Sequence, residues 1–168
     1  SHSIRAILCV QVDTASGVCN DIPAIRKTID AAGHPALFMV DAIASLGTMP
    51  FLTEGWGVDV AISASQKGLM SPPGLGFVAA SSRAMLAHKA ADLRTRYWDW
   101  GERSNPNHYQ KYCGTPPEQL LFGLSEAFEM IAEEGHAAIF QRHATLKRAT
   151  QAAISSWEDI DITPNVPN

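Results

Sequence analysis

Four short apolar runs, separated by polar and turn-rich stretches, organise the first half of the chain. Ile4 to Val12 is almost continuously apolar, the pattern of a strand buried on both faces. Ala36 to Val40, Val58 to Ile62 and Gly76 to Ala80 have the same character, so four strands are predicted. Between the first two, Asp21-Ile22-Pro23 opens a helix with an acidic cap and a proline in its first turn. Ile22, Ile25 and Ile29 lie on one face of that helix, and Gly33 ends it. Strands alternating with helical stretches predict an α/β fold with a largely parallel sheet.

The second half reads differently. Ser82 to Leu93 is helical, whereas Arg94 to Pro117 is long, aromatic and rich in turn residues. A loop of that length is functional or wrapped against a partner. Glu118 to Glu134 and Gly135 to Trp157 follow as two helices, with Leu120, Leu121, Leu124, Phe128 and Ile131 on one face of the first.

Composition narrows the class. A chain of 168 residues supports one good-sized core and at most a second partial domain, and 46% hydrophobic with 18% charged residues is the balance of a folded protein. A net charge of −4 without clustered Lys and Arg speaks against a nucleic-acid surface. There is no apolar run of membrane-spanning length and no leader-like start. Cys9, Cys19 and Cys113 lack metal-type spacing and read as reduced thiols of a cytoplasm-like compartment. An organelle stays compatible, because the chain opens on Ser1-His2-Ser3 without a methionine. It closes on Thr163-Pro164-Asn165-Val166-Pro167-Asn168, which reads as a connection cut short, so a fragment is expected.

The chemistry-bearing residues gather at strand ends. Ligands of parallel α/β sheets sit beyond the carboxyl ends of the strands, and Thr14, Asp41 and Lys67 each follow a predicted strand. Lys67 lies in Ser63-Ala64-Ser65-Gln66-Lys67-Gly68-Leu69, ahead of Pro72-Pro73-Gly74. A lysine whose surroundings favour the neutral amine attacks carbonyl groups, although a lysine alone is usually a solvated surface charge. Asp41 ends the run Phe38-Met39-Val40-Asp41, where a carboxylate needs a partner: a protonated ring nitrogen, or simply a nearby N–H. Ile43 could press on a ring face or belong to the core. Thr14-Ala15-Ser16-Gly17 offers hydroxyl and N–H donors for an anion, as many polar turns do.

Taken in order, Asp41-Ala42-Ile43-Ala44-Ser45-Leu46-Gly47, Ser65-Gln66-Lys67 and Pro72-Pro73-Gly74 resemble the class V aminotransferases, especially the alanine–glyoxylate and serine–glyoxylate group. The resemblance runs from about Ile4 to Trp157. It implies the large domain of a pyridoxal 5'-phosphate (PLP) transferase of aspartate aminotransferase-like fold type I, truncated at both ends. Residues 1–157 would be the central part of that domain, including the 94–117 loop and the two helices after it. Residues 158–168 would begin the connection to a small C-terminal domain.

The resemblance also implies roles. Lys67 would be the Schiff-base lysine and the proton carrier. Asp41 would pair with the pyridine nitrogen, Ile43 would pack on the ring, Thr14 would bond the ring's edge, and Gln66 would help bind the phosphate. Tyr112 and Thr115, in Tyr112-Cys113-Gly114-Thr115-Pro116-Pro117, match residues that reach the phosphate of the neighbouring subunit, which implies a homodimer with shared sites. The bland alternative is a loop anchor and a helix cap. The implied reaction moves an amino group from a serine-, alanine- or aspartate-type donor to a 2-oxo acid, with glyoxylate expected. The family's upstream Gly-rich phosphate loop and downstream substrate arginine match nothing here. Arg96 and Arg103, with Trp98 and Trp100, could line a carboxylate entrance or pack on a partner subunit. Two alternatives remain open: a cysteine desulfurase-like lyase, disfavoured because Gln66 stands where those relatives commonly have histidine, and a non-catalytic scaffold.

Overall fold

A computed structural model describes residues 3–107 and 111–157. Strands β1 (Ala6–Val10), β2 (Leu37–Asp41), β3 (Val60–Ala64) and β4 (Gly76–Ala80) form one sheet in that order. Pairs β1–β2 and β2–β3 are parallel, and β3–β4 is antiparallel. The reversal at β4 has a simple cause: the 65–75 connection holds no helix and is too short for a parallel crossover. The sheet is therefore mixed and mostly parallel, as expected. The third strand lies two residues later than the apolar run Val58–Ile62 implies.

Helix α1 (Ile22–Ala31) joins β1 to β2. The Asp21 side chain accepts the Ala24 N–H, Pro23 sits in the first turn, and Gly33 follows the end at φ 57°. Its Ile22 and Ile29 pack on Phe38, Val40, Val58 and Ala61 to make the main core. Each large aliphatic side chain so buried contributes about 1.5–3 kcal/mol.

The opposite face of the sheet is different. Leu8 is 76% exposed, Val78 54% and Ile62 39%, so β1 is not buried on both faces among the described residues. The apolar run reported a strand with two hydrophobic faces, but α1 covers only one of them.

Asp59, just before β3, holds the sheet from within. Its carboxylate accepts the Phe38 N–H at 2.8 Å, Arg83 Nη1 at 2.7 Å and the Ser81 hydroxyl at 3.1 Å. It thereby ties β2 and β3 to the start of α2 (Ser82–Lys89), which ends four residues sooner than the predicted helix. Among the described residues, the 94–117 stretch contains the short helix α3 (Trp100–Arg103). Helices α4 (Glu118–Glu134) and α5 (His136–Ser155) follow, joined at Gly135. Their buried Leu124, Ile131 and Ile139 close on Leu69, two residues beyond Lys67. Of the apolar face expected on α4, Leu124 and Ile131 are buried with Ala127, while Phe128 stays 47% exposed. The span 158–168 lies outside the described residues.

Candidate active site

The register of the parallel strands assembles one edge. Val10 pairs with Asp41 and Asp41 with Ile62, so the carboxyl ends of β1 and β2 are level and β3 runs two residues past them to Ala64. Beyond that edge the Gln11 N–H donates to the Asp41 carbonyl and the Ala42 N–H to the Ile62 carbonyl, both at 2.9 Å. The turns that follow carry Thr14, Ile43 and Lys67.

Thr14 is exposed within a turn organised by Asp13. Asp13 Oδ1 accepts the N–H of Ala15 at 3.0 Å, the N–H of Ser16 at 2.7 Å and the Ser16 hydroxyl at 2.8 Å. The Ser16 N–H and then its hydroxyl hold the Asp13 carboxyl below the usual range. These bonds fold residues 13–16 into an Asx turn that carries the exposed Thr14. Asp13 was not singled out from sequence, although Asp followed by small polar residues is an Asx-turn signal.

Asp41 is half-buried, with Oδ1 accepting the Ile43 N–H at 2.8 Å. Its Oδ2 has no hydrogen-bond partner among the described residues. Asp41 also borders an apolar cavity of about 340 Å³ on the open face of the sheet, together with Leu8, Val10, Met39, Val60 and Ile62. Ile43 is half-buried beside it.

Lys67 and Gln66 are both exposed, and the Lys67 ammonium has no partner among the described residues. The turn beneath them is tightly held. Ser65 is fully buried; its hydroxyl donates to the Pro72 carbonyl at 2.6 Å and its carbonyl accepts the Ser71 N–H at 3.0 Å. The Lys67 carbonyl accepts the Met70 N–H at 2.9 Å, with Met70 in the left-handed region at φ 55°. Against this turn lies Gly47 at φ 86°, where a Cβ would stand 2.8 Å from the Gly68 carbonyl oxygen. The Asp41–Gly47 loop and the Lys67 turn thus meet main chain to main chain. Sequence reading missed Ser65 and this pair of glycines, since contact between residues far apart in the chain leaves no periodic trace.

Tyr112 is half-buried and Thr115 exposed, and neither makes a hydrogen bond to the edge carrying Asp41 and Lys67. Between them Cys113 and Gly114 adopt φ 53° and 143°. Trp98 is 75% exposed, whereas Trp100 stacks on His88 with centroids 5.3 Å apart. Arg103 does not present a free fork: Nε and Nη2 donate to the Tyr97 carbonyl and Nη1 to the Lys111 carbonyl. Cys9, Cys19 and Cys113 are free thiols. No helix among the described residues is long and apolar enough to cross a membrane.

A carboxylate with one uncommitted oxygen, a lysine without a partner among the described residues and an exposed hydroxyl thus lie along the carboxyl edge of the three parallel strands. The whole chain, residues 1–168, matches the aminotransferase class-V family and belongs to it. That family is PLP-dependent, and the donor set here fits such a cofactor. The chain is 44% identical over 164 residues to a serine–glyoxylate aminotransferase of Methylorubrum extorquens, covering 94% of this chain and 40% of that protein. It is 41% identical over 156 residues to an L-aspartate–glyoxylate aminotransferase of Paracoccus denitrificans, covering 93% and 39%. Among solved structures, the pyridoxamine–pyruvate aminotransferase of Mesorhizobium loti superposes with a TM-score of 0.83 at 29% identity, over 98% of this chain and 42% of that one. The chain thus spans about 40% of the length of these relatives.

Proposed function

We propose that the protein containing this chain is a PLP-dependent aminotransferase that moves an amino group from a small amino acid to a 2-oxo acid, with glyoxylate as acceptor. The observation that carries this reading is the shared carboxyl edge of the parallel strands β1, β2 and β3, at or just beyond which Thr14, Asp41 and Lys67 all lie. The likeness to glyoxylate aminotransferases supports the choice of acceptor.

Each residue has a task. Lys67 holds the cofactor, and its Nζ takes the proton from the donor's α-carbon and later returns one to the acceptor. Asp41 would pair through Oδ2 with the cofactor's ring nitrogen and keep it protonated, while Oδ1 is fixed by the Ile43 N–H. Ile43 would support one ring face, Thr14 would bond the ring's edge, and Gln66 would contact the phosphate. When bound, PLP supplies the electron sink for charge left at the α-carbon. Tyr112 and Thr115 serve the phosphate of a second subunit, so the working unit is a homodimer.

The test is direct. The complete gene product, loaded with PLP, is reduced with borohydride and digested for mass spectrometry, beside Lys67→Ala. A pyridoxyl mass on the Lys67 peptide, and turnover lower by about a thousandfold or more in the variant, are expected. A mass on another lysine, or undiminished turnover of Lys67→Ala, would refute the reading. Serine, alanine and aspartate offered separately with glyoxylate then identify the donor.

A further inference from the structure

We propose that Arg103 is a positioning residue that holds the Tyr112–Thr115 segment in shape, and not a group that grips a substrate carboxylate. The inference rests on the reading that Tyr112 and Thr115 serve the cofactor's phosphate.

An arginine that binds a carboxylate offers two parallel N–H groups to it. Arg103 has turned its fork to its own loop. Nε and Nη2 donate to the Tyr97 carbonyl at 3.1 and 2.9 Å, and Nη1 donates to the Lys111 carbonyl at 2.7 Å. The guanidinium also lies over the Tyr97 ring, 4.6 Å from its centroid. One planar group therefore fastens the Tyr97 limb of the loop to the residue immediately before Tyr112.

The base of this brace is itself anchored. Arg103 is the last residue of α3, whose cap Asp99 accepts the Gly101 N–H at 2.7 Å. Asp99 Oδ1 also pairs with His88 Nε2 at 2.9 Å, and the Trp100 ring stacks on His88. A continuous path runs from α2 through His88, Asp99 and Arg103 to Lys111. At the far end the Cys113 thiol lies 3.4 Å from the Arg96 carbonyl. Cys113, a non-glycine residue at φ 53°, persists in that conformation only where its surroundings over-determine it. The strained turn between Tyr112 and Thr115 is thus secured on the 96–97 limb, to which Arg103 fastens the neighbouring main chain.

The experiment uses the complete gene product and reads three quantities: the PLP dissociation constant of cofactor-stripped enzyme, the donor KM at saturating PLP, and the apo-protein Tm. Arg103→Ala is expected to weaken PLP binding about tenfold, because two side chains must then be ordered on binding. Donor KM stays unchanged. Arg103→Lys is expected to share the defect, since an ammonium cannot span two carbonyls in the fixed geometry of a fork. It also carries the test if Arg103→Ala fails to fold. In a Tyr112→Phe/Thr115→Ala background, removal of Arg103 adds little further loss.

A raised donor KM with unchanged PLP affinity would overturn the proposal in favour of a carboxylate clamp. So would full rescue by lysine, unchanged PLP affinity in Arg103→Ala, or an equal loss of affinity in both backgrounds. If Tyr112→Phe/Thr115→Ala alone leaves PLP affinity intact, the phosphate reading falls and the brace's purpose with it. That failure is recognised without touching Arg103.

Discussion

Around Lys67 the chain is held by main chain packed on main chain, with Gly47 against Gly68 and the buried Ser65 hydroxyl on the Pro72 carbonyl. Around Tyr112 it is held by side chains reaching across an exposed loop: Arg103 to two carbonyls, and His88 to Asp99. The first arrangement contains no ionised partner and sits on the Leu69–Leu124–Ile131 cluster. The second depends on charge, and none of the residues of α3 is buried. Two solutions to one positioning problem follow from their places in the fold. A turn at a sheet edge can borrow rigidity from the core, whereas a loop over solvent must bring its own braces.

The largest effect is expected where the sheet beneath the first region is cut loose. Asp59→Ala removes a carboxylate that is 5% exposed and orphans the Phe38 N–H. A loss of about 3 kcal/mol is expected, the low end for breaking a buried pair because the Arg83 side chain is 44% exposed. Denaturant unfolding of the complete gene product measures it. A loss near zero would mean that the sheet edge does not depend on this network.

Next comes Gly47→Ala, which places a Cβ against the Gly68 carbonyl at a positive φ. Strain of about 1–3 kcal/mol is expected, and amide exchange should rise in residues 65–71 but not in 97–107. Equal acceleration in both segments would erase the contrast between the two regions.

The smallest effect is acid sensitivity of the loop. Hydrogen bonding from His88, then from the Gly101 N–H, lowers the Asp99 carboxyl below its ordinary value. A carboxylate with a depressed folded value contributes stability that is complete above its unfolded value, about 3.9, and disappears as pH falls through the folded one. Limited proteolysis in 97–107 should therefore increase over that acid window, and Asp99→Asn should flatten the response. Cleavage that rises equally in Asp99→Asn would assign the effect to other carboxylates.

Much of this was legible from local chemistry. The Asp21 cap, Pro23 and Gly33 bound α1 because capping involves only near neighbours in the chain. β4 and α4 match their predicted spans for the same reason, since apolar period and turn residues are short-range signals. The aligned strand ends carrying Thr14, Asp41 and Lys67 also follow from the α/β pattern once the strands are identified. The exposed face of β1 was misjudged because a continuous apolar run reports two hydrophobic faces, not what covers them.

By itself, then, the sequence determined the strands, the capped first helix, the family and the candidate residues, all through patterns spanning a few residues or motifs in fixed order. Only the tertiary structure decided that Gly47 meets Gly68, that Asp59 joins Phe38 to Arg83, and that Arg103 spends its donors on Tyr97 and Lys111. In each case the partner is chosen by which segments the fold brings within hydrogen-bond or van der Waals reach. A guanidinium is equally suited to a substrate and to a carbonyl, so its role is settled by what packing places beside it.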